Sequence, residues 1–348
     1  MTRRLLQAMA GARHGGAEIF FVRLAAALQR AGEEQRVLVR SDPDRSRALR
    51  EAGIPLTELR FGGPFDVGTR AAFRHEITAW RPDIVLTWMS RATAMCPAGD
   101  FVHVGRLGGY YDLKYYRRCQ HLIGNTRAIV DYAVSQGWPR ERAHYLPNFV
   151  PDPRTTAAAR GPALERPDGV PLALALGRLH PNKGFDLLLD ALAMTDEIHL
   201  WIAGEGPLRD DLARQAERLG LGGRMRFLGW RDDVPALMAT ADFLVCPSRH
   251  EPLGNVVIEA WAAGLPVVAT ASDGPAALIE EGRDGLLVPL TRESDGAAEA
   301  LADAMRRIAG DAGLRAGLAR GGRAAYEASF TEAAVVGRYR AFFGEVVG

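Results

Sequence analysis

LLQAMAGARHGGAEIFFVRLAAALQRAGEEQRVLVR, residues 5–40, changes character three times in thirty-six residues. LLQAM (5–9) is a short apolar run. AGARHGGAE is a glycine-rich turn. AEIFFVRLAAALQRAG repeats apolar residues at helical spacing and closes on Gly32, and QRVLVR (35–40) is a second strand-like run. Strand, glycine turn, helix, strand is a βαβ unit, and such units build parallel sheets.

The same alternation continues outward. DIVLTW (83–88), FVHVGRL (101–107), HLIGN (121–125) and AHYLP (143–147) are further strands, with helical patterns between several of them. The stretch 150–170 is rich in Pro, Ala, Gly and charge and reads as a domain boundary. A second alternating series follows. Its strands are PLALAL within 171–179, IHLWIAG (198–204), MRFLGW (225–230), DFLVCPS (242–248), PVVAT and GLLVPL (285–290). The expected fold class is therefore α/β, with two Rossmann-like, doubly wound parallel-sheet domains, 1–155 and 168–329. The amphipathic segment 330–348 is expected to form a helix that packs back on the first domain. Ligands of such sheets lie at the carboxyl ends of the strands, so a cleft faced by the two domains is the expected site.

Composition narrows the class. Of the 348 residues, 47% are hydrophobic and 24% charged, as in a globular chain. No apolar run reaches the length of a membrane span, and the N-terminal run is too short for a signal peptide. Cys96, Cys119 and Cys246 suggest neither a disulfide framework nor a zinc site, and a cytoplasmic setting is expected. The halves differ in charge. Residues 1–150 carry 22 Lys and Arg against 14 Asp and Glu, a balance of +8; the remainder carries 21 against 28, or −7. A basic first half suits an anionic acceptor or a membrane surface, although scatter along an arginine-rich chain gives the same count. Lys114 and Lys183 are the only lysines.

Four motifs carry the chemistry. In AGARHGGAEIF (10–20), Gly15 and Gly16 open a helix directly after a strand, where backbone N–H groups can meet a phosphate; a tight turn without ligand explains the same residues. In GRLHPNKGFDLLL (177–189), Arg178 and Lys183 flank one strand–helix loop and could hold a diphosphate, or stand as solvated loop cations. In AGEGPLRDDL (203–212), Gly204 and Gly206 end a strand and Pro207 starts a helix. In RHEPLGNVVIEAWAAGLPVVAT (249–270), Glu251 stands at a helix mouth and Glu259 inside the helix. The free N–H groups near Leu253, Gly254 and Asn255 could hold a phosphate between the two acids. A helix-start acid and a structural acid paired with an arginine would account for them equally.

Glu251 and Glu259 match an E-x7-E pattern. With GRLHPNKGFDLLLDAL, AGEGPLR, MRFLGW and LPNFV, in this order, the chain resembles retaining glycosyltransferases of family 4, of the GT-B fold. The resemblance is dense over 171–290 and weaker over 1–150. VLTWMSRA and RLGGYYDLKYYRRCQHLIGNT are similar to bacterial enzymes of lipopolysaccharide or other surface-glycan assembly. The resemblance implies that domain 1–155 binds the acceptor and 168–329 a nucleotide-sugar donor. It implies that Arg178 and Lys183 bind the donor diphosphate, Glu251 the transferred sugar and Glu259 the ribose. The backbone at Gly16, Leu253 and Gly254 would meet the phosphates, and the loop Gly229–Arg231, with Trp230, would border the base. It implies no cofactor and no metal, with the donor UDP-, GDP- or ADP-linked. DPD (42–44) looks like a metal-binding DxD but is read as a turn. The implied partners are the donor, a glycan or glycolipid acceptor and the inner-membrane surface, with no nucleic acid. The protein would work in the cytoplasm or at that membrane's cytoplasmic face.

There is one departure from the pattern. Relatives often carry His at the end of the first-domain strand that faces the sugar; here that end reads Arg106, Gly108, Gly109. Arg106, Tyr110, Asp112 and Lys114 are the acceptor-side candidates, while His103 faces the core by alternation. Three further readings remain: a GT-B protein without catalysis that serves as a partner, a two-lobed sugar-binding protein, and an epimerase or phosphorylase.

Overall fold

The computed structural model describes residues 3–12, 15–63, 65–154, 166, 168–290 and 294–348. The chain forms two compact units, Met1–Phe149 with Glu332–Gly348, and Val150–Thr331. Most of the boundary stretch lies outside the described residues. Its first part belongs to the second unit rather than the first. Val150 N donates to Phe330 O, Tyr326 OH donates to Val150 O, and Arg323 Nη2 donates to Asp152 Oδ2. These bonds end the first unit at 149 rather than 155.

In the first unit, strands β1 (Arg4–Met9), β2 (Glu34–Arg40), β3 (Leu56–Leu59), β4 (Ile84–Trp88), β5 (Val102–Leu107), β6 (His121–Gly124) and β7 (Ala143–Tyr145) form one parallel sheet, ordered β3-β2-β1-β4-β5-β6-β7. The order reverses between β1 and β4, the switch point of a doubly wound sheet. β3 was not legible in the sequence: LTEL is an edge strand with exposed Thr57 and Glu58 and no apolar run. The DPD triplet is a helix start rather than a turn. Asp42 accepts from Arg45 N at 3.0 Å and caps the helix Pro43–Glu51, with Pro43 at the first position, where its missing N–H costs nothing.

The helix Glu332–Val347 completes this unit, burying Val335, Tyr339, Phe342 and Phe343 in the core of β1, β2, β4 and the helix Gly16–Arg30. Arg340 Nε donates to Glu33 Oε1 at 2.8 Å, and Arg30 Nη2 to Glu332 Oε1 at 2.6 Å. Arg106 lies inside the same core. Its guanidinium stands 4.3 Å from the Trp88 ring centre and 4.8 Å from that of Phe20, and donates to Tyr339 OH (2.9 Å) and Asn148 Oδ1 (2.6 Å). No carboxylate pairs with it among the described residues. Two aromatic faces and two neutral oxygens take the charge instead, as the weak hydration of a guanidinium allows.

In the second unit, β8 (Leu172–Leu176), β9 (His199–Ala203), β10 (Met225–Gly229), β11 (Phe243–Cys246), β12 (Val267–Thr270) and β13 (Leu286–Val288) form a parallel sheet ordered β10-β9-β8-β11-β12-β13. Its switch point lies between β8 and β11. One face is filled by Leu187, Leu188, Leu192, Leu301 and Met305, and the other by Trp201, Val257, Trp261 and Tyr326.

His103 on β5 is 3% exposed, with Nε2 3.0 Å from Thr87 Oγ1. Burial holds its pKa down to about 4, against the opposing effect of a hydrogen bond to the Arg118 backbone. Its folded-state pKa is below the unfolded value, so its contribution is present above about pH 6.5 and lost as pH falls toward 4. The full effect is on the order of 3 kcal/mol. His121 and His144, 3.0 Å apart beside Phe342, are lowered for the same first cause and add to the slope. Urea unfolding measured in steps from pH 7 to 4 is expected to show stability falling with acid, and His103→Asn to flatten that fall by about one proton's worth.

Candidate active site

The sequence motifs of the second unit meet at its switch point. Three glycines stack across the carboxyl ends of β8, β9 and β10. Gly177 N donates to Ala203 O (3.1 Å) and Gly204 N to Gly229 O (2.7 Å). A Cβ on Gly204 would lie 1.9 Å from Gly177 O, and one on Gly206 2.4 Å from Leu179 O. These glycines let two strand ends and their loops approach at backbone distance.

The loop after β8 is clamped to the loop after β11. Gly184 has φ 63°, and a Cβ there would stand 2.1 Å from Pro247 O. His250 N donates to Asn182 O at 3.0 Å. Arg249 donates to Asp186 through both terminal guanidinium nitrogens, at 2.5 and 2.7 Å. This fork holds the carboxyl of Asp186 below its usual range against the opposing effect of burial. The clamp brings Lys183 onto Glu251: Lys183 Nζ donates to Glu251 Oε2, and both side chains are partly buried. Lys183, expected at a diphosphate, and Glu251, expected at a sugar, are thus each other's partners here. The stem of Lys183 lies over Gly177, its Cε 3.6 Å from where a Cβ would be.

The helix Asn255–Ala263 begins at Gly254, with φ 74°. Glu251 turns back onto this start, where Oε1 accepts from Gly254 N at 3.3 Å. Gly274 packs beneath, donating to Glu251 O at 2.7 Å; a Cβ there would meet Leu253 C at 2.6 Å. The Oδ1 of Asn255 is buried without a hydrogen-bond partner among the described residues. Glu259 explains how an apolar helix keeps a carboxylate. It shares with Val256 and Ala263 the partly exposed side of that helix, while Val257, Ile258, Ala260 and Trp261 are buried.

Arg178 is exposed, as is Trp230, whose Nε1 donates to Asp232 Oδ1 at 3.1 Å. Gly229 takes φ 69° at the end of β10, and Arg231 forks onto Asp233 at 2.7 and 2.5 Å. So one edge of the unit presents two cations, two acids, a helix start and an indole. Such a set can hold a diphosphate and the hydroxyls beside it.

The first unit answers differently. The glycine loop after β1 folds over Glu18, a residue that sequence reasoning passed over. Glu18 is buried and accepts from Ala12 N at 2.8 Å. A Cβ at Gly15 would lie 2.2 Å from its Oε2 and one at Gly11 2.7 Å from its Cγ, whereas a Cβ at Gly16 meets open space. Gly15 thus lies against the carboxylate of Glu18, the movable end of a buried side chain. An acid in the first helical turn behind paired glycines was the available signal.

Of the acceptor-side candidates, Arg106 is corrected: it is enclosed in the core, because Phe20 and Trp88 sandwich its side chain. Asp112 caps a short 3-10 turn and pairs with Lys114 at 2.7 Å, both exposed. Tyr110 is exposed and stands edge-on to Tyr132, with ring centres 5.3 Å apart.

Comparison with known proteins decides the family. Over 335 residues the chain is 36% identical to the lipopolysaccharide core biosynthesis glycosyltransferase LpsE of Rhizobium meliloti (strain 1021), covering 93% of this chain and 94% of that one. The chain belongs to glycosyltransferase family 4. The description "Glycosyltransferase Family 4" matches residues 14–154, and "Glycosyl transferases group 1" matches 170–311. LpsD of the same organism is 33% identical over 94% of this chain and 95% of its own. Among solved structures, Anabaena Alr3699/HepE in complex with UDP has a TM-score of 0.82 at 22% identity, covering 98% of this chain and 100% of that chain. A glycosyltransferase from Rickettsia africae ESF-5 has a TM-score of 0.85 at 18% identity, covering 99% of both chains. These likenesses give the GT-B fold, and the protein is a glycosyltransferase.

Two glycines of this family 4 enzyme give a paired test of the geometry. Gly184→Ala meets both a left-handed backbone and a carbonyl oxygen, and is expected to cost about 2–4 kcal/mol in urea unfolding. Gly16→Ala, facing open space, is expected to stay within about 0.5 kcal/mol.

Proposed function

We propose that this glycosyltransferase moves a sugar from a nucleoside-diphosphate sugar onto a glycan or glycolipid acceptor in the assembly of lipopolysaccharide core or another surface polysaccharide, with retention at the anomeric carbon. The observation that carries the reading is the meeting of Lys183, Glu251 and the helix start at Gly254, on glycine-built loops at the second unit's switch point. The similarity to LpsE and LpsD along nearly the whole chain supports the choice of pathway class.

In this reading the donor diphosphate lies against the start of Asn255–Ala263 and draws Lys183 and Arg178 onto its oxygens. Charge that develops on the departing nucleotide then meets two cations and a helix start, an electrostatic stabilisation of the leaving group. Glu251, released from Lys183, accepts from hydroxyls of the transferred sugar, while Glu259 accepts from the ribose. Trp230 borders the base. The acceptor hydroxyl attacks from the face the nucleotide leaves and passes its proton to the leaving phosphate. The route calls for no carboxylate nucleophile and no metal. The first unit takes the acceptor.

No helix among the described residues is long and apolar enough to cross a membrane. The reading places the enzyme on the cytoplasmic face of the inner membrane, in contact through its basic first unit. Support comes from Phe65, 94% exposed, and Val67, 75% exposed, at the start of the helix Val67–Trp80, with Arg60 and Arg70 close by in the chain.

The alternative, a GT-B partner protein without catalysis, draws on the burial of His103 and Arg106, which leaves the end of β5 without a free histidine or arginine. One experiment separates the two. Lys183→Ala is expected to lower kcat about 100-fold or more, with Glu251→Gln similar, in transfer or donor hydrolysis. Glu259→Ala is expected to act mainly by raising the donor KM. Equal turnover in wild type and Glu251→Gln would remove the donor-site assignment, and an inverted product would remove the retaining route.

A further inference from the structure

The first unit holds a charged cavity of about 370 Å3, lined by Arg70, Arg74, Met95, Pro97, Ala98 and Arg118. Arg70 and Arg74 lie one turn apart on the helix Val67–Trp80, and Arg118 follows the 3-10 turn Leu113–Tyr116. None of the three guanidiniums forms an ion pair among the described residues. The one acid on that helix, Glu76, is taken by Arg36 at 2.6 Å. Arg118 is steered by Cys96 O, which accepts from its Nη1 at 3.2 Å. The remaining walls are Met95, Pro97 and Ala98, which offer no acidic side chain.

Three like charges around one hollow repel each other unless an anion sits among them. Arg47, Arg50 and Arg140 on this unit pair with Asp44, Glu58 and Asp131, whereas Arg60, Arg81 and Arg117 are exposed with no ion pair among the described residues; what sets Arg70, Arg74 and Arg118 apart is that they share one hollow. The volume lies near the lower end of the range for small-molecule sites, roughly 300–1,000 Å3, which is room for one sugar unit rather than a bare ion. Guanidinium forks match the oxygens of a phosphate monoester, and the apolar wall suits the carbon face of a ring.

We infer that this cavity is an anion subsite of the first unit that takes a phosphate-bearing sugar of the acceptor. The inference rests on the reading of this unit as the acceptor domain. The phosphate group is shared with free inorganic phosphate, and the sugar is what separates the two ligands.

The test is calorimetric titration of the full chain with glucose 6-phosphate, inorganic phosphate and glucose. Glucose 6-phosphate is expected to bind more tightly than inorganic phosphate, and glucose not at all. R70Q/R74Q is expected to weaken sugar-phosphate binding about tenfold or more. R74Q alone, at an exposed position, is expected to weaken it in the same direction if the double variant misfolds. R47Q/R50Q, which removes the same charge from paired surface sites, is expected to change it less than about twofold. Sugar phosphate binding no better than inorganic phosphate overturns the acceptor assignment. Binding unaffected by R70Q/R74Q, or weakened equally by R47Q/R50Q, overturns the site. Hydrolysis of UDP-, GDP- and ADP-glucose by the same preparation is recorded in parallel. Its persistence without sugar-phosphate binding sinks the subsite alone, and its absence with all three donors sinks the catalytic reading in favour of the partner protein.

Discussion

The donor side of this protein depends on one close approach. The carbonyl of Pro247, after β11, stands where any side chain at residue 184, after β8, would begin. The contact joins the two strands that flank the switch point, and the meeting of Lys183 with Glu251 follows from it. Lys183 meets Glu251 because their neighbours 184 and 247 touch. Arg249 reaches Asp186 across the same seam. Glycine here confers no flexibility; it allows a fixed distance that no other residue permits.

The same logic recurs with different partners. Gly204 accommodates Gly177 O, Gly274 accommodates the turn at 251–254, and Gly15 accommodates the carboxylate of Glu18. Switch-point loops carry little side-chain bulk because backbone must pass close to backbone, or to a ligand in its place. In the first unit the space under the loop is filled from within by Glu18. In the second unit the loops leave a lysine, a carboxylate and a helix start facing one another.

Much of this was legible in the sequence. Alternating apolar runs and helical spacing yielded the strands, and the E-x7-E stretch and the Arg178–Lys183 loop each pointed to a diphosphate. What was not legible has physical causes. β3 lacks an apolar run because edge strands need none. Arg106 looks like a surface cation to any rule that counts charge, since only the fold reveals that Trp88 and Phe20 flank it. The pairing of Lys183 with Glu251 spans 68 residues and comes from the clamp between loops, not from either motif. The three-arginine cavity draws on residues 70, 74 and 118, which no local pattern connects.

The helix Glu332–Val347 has a consequence for how the chain is made. It fills the core of the first unit and supplies the Tyr339 hydroxyl that Arg106 bonds. Ribosomes deliver domains in order, and most fold as they emerge. This first unit cannot finish. With β1 to β7 already translated, Arg106 and the apolar bed for Phe342 and Phe343 wait open while the whole second unit is synthesised and folds. The unit that starts first closes last, and until residue 347 appears part of its apolar core has no cover.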